Sequence, residues 1–244
     1  MKSANFVFFL ILFLFIGTNA QSKMSYKINY IEKDFSISEL KNDLWEKAEI
    51  VTIDSYWSGR KAPESRHFQT RILWSKTALY VHFEANQKEP LVISNPPNLT
   101  SKTRGLWERD VCEIFLAPKK EDFRRYFEFE IAPNGEWIDL GIYQKPEERI
   151  TDWDYNSEME SAARIEKEKV LMAIKIQWKA FGVYPKAGDV WLGNIFRCVG
   201  AGETRGYLAW SPTMTTTPNF HVPEKFGQFK FVKNQDKKII NSKI

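Results

Sequence analysis

Apolar and polar residues alternate along much of this chain. In ALYVHFEA (78–85), Leu79, Val81 and Phe83 fall on one side and Tyr80, His82 and Glu84 on the other. RRYFEFEIAP (124–133) sets Phe127, Phe129 and Ile131 against Tyr126, Glu128 and Glu130. VLMAIKIQW (170–178) sets Val170, Met172, Ile174, Ile176 and Trp178 against Leu171, Ala173, Lys175 and Gln177. A period of two marks a β-strand with one face in a core, because successive side chains leave opposite sides of the pleat. Six more segments read as strands: AEIVTI (48–53), FQTRILW (68–74), DVCEIFLA (110–117), EWIDLG (136–141), VWLGNIFRCV (190–199) and GQFKFV (227–232). Pro133-Asn134-Gly135 predicts a tight hairpin, and Lys186-Ala187-Gly188-Asp189 a second turn. Helix signals are few; ISELKNDLWEKA (37–48) predicts one short helix after Ser36 or Ser38. About nine strands at short spacing, without long helices between them, predict an all-β fold. The expected form is an antiparallel β-sandwich of two sheets, jelly-roll or immunoglobulin-like, with a short helix or two. No repeat or low-complexity linker divides residues 21–232, so one domain is expected there.

One apolar run lacks this alternation. Residues 6–16, FVFFLILFLFI, are apolar without a break, with Lys2 before them and Thr18-Asn19-Ala20 after. Such a run falls short of the roughly 20 residues needed to span a bilayer. It predicts a signal peptide over residues 1–20, cleaved after Ala20, and a secreted or periplasmic mature chain. No Cys follows the run, so a lipid anchor is not expected.

Charge removes another class of function. Without Lys2 the chain carries 34 basic and 31 acidic residues, and the last twelve residues, KNQDKKIINSKI, hold four Lys and one Asp. The excess therefore sits on a basic C-terminal tail (233–244), and the body is neutral. Binding nucleic acid requires a basic face on the folded domain, so no nucleic-acid partner is expected.

Cys112 and Cys198 are the two cysteines, each inside an apolar strand-like run. A secreted chain can oxidise them, yet isolated buried Cys are as often free thiols, and the sequence leaves both outcomes open. There is no CxxC and no HExxH, and His67, His82 and His221 lie far apart, so nothing points to zinc.

Aromatics stand out: beyond residue 20 there are 13 Phe, 9 Trp and 9 Tyr. Most, such as Phe127, Phe129, Trp178 and Phe229, sit on apolar stripes and belong to a core. Trp107 in RGLWERD and Trp210 in YLAWSPT differ, being at strand ends among polar or turn-forming neighbours. An indole so placed can offer a flat apolar face to a ligand, and a sugar ring has such a face with hydroxyls around its rim. Asp110, Glu113, Glu128 and Glu130 supply carboxylates that accept hydroxyl hydrogen bonds, and Arg109 and Arg197 supply donors. The plain alternative for Glu128 and Glu130 is cross-strand ion pairing on a solvated sheet face.

The ordered strings LWERDVCEIFLAP, YFEFEIAPNGEWIDL, WLGNIFR, YLAWSPT and FHVPEKFGQFKF, from about Asp43 to Phe231, resemble the family 9 carbohydrate-binding modules. They are most similar to the stand-alone secreted carbohydrate-binding family 9-like proteins. The resemblance implies a β-sandwich with a sugar site on its concave face, where terminal pyranose units lie between two Trp rings. It implies Trp107 and Trp210 as those rings and Glu113 as an acceptor, with Asp110, Glu128, Glu130 and Arg197 completing the site. The well-studied binders carry Arg and Asn where this chain has Glu128 and Glu130. Similar modules also bind structural calcium, with no ligand set assignable here. The expected function is therefore non-catalytic binding of a poly- or oligosaccharide beside glycoside hydrolases. One alternative is a glycoside hydrolase acting through Glu113 and Glu128. The other is a haem-binding sandwich domain of an electron-transfer chain, for which His82 would be the axial candidate.

Overall fold

The computed structural model describes residues 23–233; the predicted signal peptide and all but the first residue of the basic tail lie outside the described residues. Thirteen strands are found there: β1 Ser25–Tyr30, β2 Ile50–Ile53, β3 Phe68–Trp74, β4 Ala78–Asn86, β5 Val111–Ala117, β6 Arg125–Ile131, β7 Trp137–Gln144, β8 Arg149–Asp152, β9 Glu160–Ile165, β10 Lys169–Gln177, β11 Val190–Val199, β12 Gly206–Ala209 and β13 Gly227–Val232. All nine segments with strand patterning form strands, and β1, β8, β9 and β12 join them. The fold is all-β.

Hydrogen bonds connect the strands in the order β8-β7-β6-β5-β11-β13-β1-β3-β4-β10-β9, with β12 on β11 and β2 on β3. The ladder does not break into the two expected sheets. β1 runs parallel to β13 on one side and to β3 on the other, and so joins both halves. The other pairings are antiparallel.

The sheet curls on itself around one central core. Leu79, Val81 and Phe83 of β4 and Met172, Ile174 and Ile176 of β10 meet Ile114 and Leu116 of β5, Phe129 and Ile131 of β6, and Phe229 and Phe231 of β13. In β4, β6 and β10 these residues share the side that alternation assigns to them. Each half also has an outer face covered by irregular chain. On one, Tyr80, Leu171 and Ala173 lie under Ile37, Leu40 and Trp45. On the other, Phe115, Tyr126, Leu140 and Phe196 lie under Leu106, Phe220 and Phe226.

The helix expected over 37–48 reduces to a single 3-10 turn, Asp43–Lys47, capped by the Asn42 side chain accepting from the Leu44 N–H. Ser36 and Ser38 bond to one another. A helix this short gains little by itself. Burial of Ile37, Leu40, Trp45 and Ala48 on the sheet face sets the path instead. The Pro133-Asn134-Gly135 hairpin forms as predicted: Gly135 takes φ +91°, where a side chain would be strained, and its N–H donates to Ala132 O at 2.9 Å. Cys112 and Cys198 are both buried free thiols, Cys112 in the central core and Cys198 on the outer face. Neighbours on β5 and β11 in this way point to opposite sides of the sheet, which rules out their bridging. No helix among the described residues is long and apolar enough to cross a membrane.

Candidate functional site

In the antiparallel β5–β6 pair, Glu113 stands opposite Glu130 and Phe115 opposite Glu128. Alternation puts Glu113, Glu128 and Glu130 on the outer face, as the sequence predicts. They are not solvated, however: their exposures are 2%, 3% and 0%. The alternative of cross-strand ion pairing is not met either: among the described residues no Lys or Arg pairs with Glu128 or Glu130. Loops roof this face and leave a cavity of about 460 Å³ between them and the strands. Glu113, Glu128 and Cys198 are at its floor, Arg149, Arg205 and His221 on its walls, and Trp107 and Trp153 on its exposed side.

Local chemistry holds the roof in place. Trp107 rides on a 3-10 turn, Leu106–Glu108, entered through Gly105 at φ +80°. Arg205 ties that turn to the β11–β12 connection by donating to Trp107 O at 2.5 Å, Arg109 O at 2.8 Å and Gly200 O at 2.7 Å. Trp153 follows β8, where the Asp152 carboxylate accepts from the N–H groups of Asp154 and Tyr155 at 3.0 and 3.1 Å. The two indoles are each 36% exposed, with ring centroids 6.2 Å apart and planes at 43°. The Arg104 guanidinium lies over the Trp153 ring at 4.9 Å.

The floor is electrostatically loaded. Burial, and then the charge of Glu128, push the Glu113 carboxyl well above the usual range. Glu130 is raised likewise by burial and by both neighbouring glutamates, and Glu128 is raised by burial. His221 moves the other way: burial, with Arg149 nearby, lowers it to about 3, so its imidazole is neutral. Its Nδ1 shares a 2.8 Å hydrogen bond with the Tyr126 hydroxyl.

The predicted site residues divide into two groups. Trp107, Glu113 and Glu128 line the cavity, and Glu130 lies beside both glutamates. Trp210, Asp110 and Arg197 require correction. Trp210 is 5% exposed and stacks on Phe229 in the central core, centroids 5.2 Å apart at 15°. Its indole fills the space that Gly227 leaves, where a Cβ would come within 2.4 Å of it. Asp110 is a buried loop anchor, accepting from Gly200 N at 2.7 Å, Val92 N at 3.1 Å and Gln87 Nε2 at 3.2 Å. Arg197 donates to Arg66 O at 2.8 Å and Gln87 Oε1 at 2.6 Å and does not line the cavity. Arg109 pairs with Glu136 at 2.8 Å. His82, the haem candidate, is on the opposite outer face against Trp45, and Met172 is in the central core.

The sequence reading missed Trp153, Arg149, Arg205 and His221. Trp153 carried a usable signal, since Asp152 and Asp154 flank it as polar residues flank Trp107. The others lie in segments without strand patterning.

An all-β domain whose outer face carries an aromatic-edged hollow with an acidic floor defines the class. The chain belongs to the carbohydrate family 9 binding domain-like family, whose profile matches residues 37–234. It is similar to a candidate carbohydrate-binding protein from Bacteroides uniformis, with 20% identity and a TM-score of 0.69 over 86% of this chain and 100% of that one. It is also similar to a family 9 carbohydrate-binding module from Caldicellulosiruptor kristjanssonii in complex with cellotriose, with 16% identity and a TM-score of 0.60 over 91% of this chain and 100% of that one. An extracellular protein from Arthroderma benhamiae is 24% identical over 71% of this chain and 83% of its own length.

Proposed function

We propose that this is a secreted, non-catalytic carbohydrate-binding protein that takes a sugar unit into the cavity beside Trp107 and Trp153, and that it works beside glycoside hydrolases. The observation that carries this reading is the pair of partly exposed indoles next to a hollow with carboxylates at its floor. The family, the module solved with cellotriose and a second structure solved with glucose support the saccharide. The extracellular relative and the predicted signal peptide support secretion.

The second platform passes from Trp210 to Trp153, and the stacking mode changes with it. A ring held between two parallel indoles needs about 7–8 Å between them, two carbon contacts of about 3.5–4 Å. At 6.2 Å and 43°, Trp107 and Trp153 instead form an angled wall for one face of the sugar. The glutamates accept hydroxyl hydrogen bonds where ionised and donate where protonated.

Calorimetry with glucose, cellotriose and a panel of soluble oligosaccharides tests this. At least one sugar is expected to bind the wild type, with loss of detectable heat in the Trp107→Ala/Trp153→Ala double variant. Unchanged binding by that variant would overturn the site. Reducing-sugar release by pure protein, lost in Glu113→Gln, would move the protein to the glycoside hydrolase alternative.

A further inference from the structure

The cavity floor gathers more carboxyl groups than a neutral sugar calls for. One oxygen from each of Glu113, Glu128 and Glu130 lies within 4.8 Å of the others. Two oxygens bound to a common Ca²⁺ at 2.3–2.6 Å are at most about 5 Å apart, so this spacing suits one ion held by all three. Glu130 is 0% exposed, and among the described residues no amide, hydroxyl, Lys or Arg donor reaches its oxygens or Oε2 of Glu128; the two carboxyls have only one another. Three carboxyl groups buried this close cannot all ionise without a counter-charge, and a cation among them would supply it.

The protein supplies no positive charge for them. Among the described residues no Lys or Arg pairs with the three carboxylates. The nearest basic group is the neutral His221, with Nε2 3.9 Å from Glu128 Oε2. Arg205, on the wall, spends its donors on backbone carbonyls. Cys198 Sγ reaches Glu113 Oε1 at 3.5 Å but is a weak donor.

We propose that Glu113, Glu128 and Glu130 form a binding site for a hard divalent cation at the floor of the cavity. Three carboxylates make an all-oxygen set, which favours Ca²⁺ or Mn²⁺ over softer ions. Glu113 and Glu128 line the cavity, so positions left open on the ion face the hollow. The site goes beyond the saccharide reading and does not depend on it.

Chelator-treated protein starting at Gln21 is dialysed at pH 7.5 against CaCl₂ or MnCl₂, and bound metal is counted. One ion per chain is expected, with affinity at least tenfold weaker in Glu113→Gln and in Glu130→Gln. The Trp107→Ala/Trp153→Ala double variant separates the two proposals, since it should lose sugar and keep the ion. If the glutamine variants do not fold, the wild type decides: traces of Mn²⁺ must broaden the NMR signals of His221 before those of His82. Absence of a bound ion, full affinity in both glutamine variants, or broadening that begins at His82 would overturn the site.

Discussion

On one outer face of the sheet, Tyr80 and Leu171 lie under Leu40 and Trp45, and His82 packs against the Trp45 ring at 5.0 Å. On the other, Phe115 and Tyr126 lie under Leu106 and Phe220, and three glutamates stand at the floor of a cavity. Both faces mix apolar and titratable side chains, and both are roofed by irregular chain. Their charges are handled differently. Around a smaller hollow beside His82, two of the three acids are paired, Glu84 with Lys169 and Arg71 and Glu166 with Lys41, and the third, Glu46, is exposed to solvent. At the larger cavity no Lys or Arg pairs with the floor. Acids at a partly exposed rim are met by Lys, Arg or water; buried ones without a cation on a floor open to a cavity mark a place for a ligand.

The largest expected effect separates the two tryptophans that look alike in sequence. Trp210→Ala, which empties a core position, should lower unfolding free energy by about 3–5 kcal/mol. Trp107→Ala should change it by roughly 0.5 kcal/mol or less, as is usual at the surface. Denaturant titrations read both, and equal losses would erase the distinction.

Next in size is a pair of opposite pH responses. Burial first, then Arg71, lowers His82 to about 4, while Glu84 acts against this. The unfolded chain takes up that proton near pH 6.5, so stability is full above this pH and falls toward pH 4, by about 3 kcal/mol. His82→Leu should therefore stabilise the protein at pH 4–5 and do little at pH 7.5. The glutamates act with the other sign. Their folded-state values are raised, so the folded state holds extra protons and stability falls as pH rises above about 4.3. In the presence of chelator, Glu130→Gln should stabilise the protein at pH 7.5 and do little near pH 4. Thermal melts at the two pH values compare the faces directly, and responses of the same sign would break the contrast.

A smaller effect belongs to the platforms. By analogy with stacking of bases on aromatics, each indole should contribute about 1–3 kcal/mol to sugar binding. Trp107→Ala and Trp153→Ala would each weaken binding roughly tenfold to a hundredfold. The smallest effect is that of Asp152→Ala, which frees the turn carrying Trp153. Loss of its hydrogen bonds should cost about 1 kcal/mol, read as a several-fold weaker sugar affinity in calorimetry.

Strand parity was legible in the sequence because a strand has only two sides. Alternation alone put Glu128 and Glu130 on the face away from Phe129 and Ile131. It could not show that loops roof that face, since the covering residues Leu106 and Phe220 come from distant segments with no pattern of their own. Trp210 and Trp107 have comparable local settings and opposite fates. What buries Trp210 is Gly227 and Phe229, which pack against it from β13. Trp153 was as readable as Trp107 by its polar neighbours, but β8 is a four-residue strand, too short to draw attention to its end. The helix expected over 37–48 failed for a related reason. Apolar spacing of three and four residues suits a helix, yet here it serves a segment laid across the sheet face.

The most direct measurement follows indole N–H resonances in protein labelled with ¹⁵N-tryptophan while a binding oligosaccharide is added. Cavity binding predicts that the Trp107 and Trp153 signals shift together and saturably, while Trp210 stays in place. A saturable shift of Trp210 or other core indoles, with Trp107 and Trp153 unmoved, would contradict it.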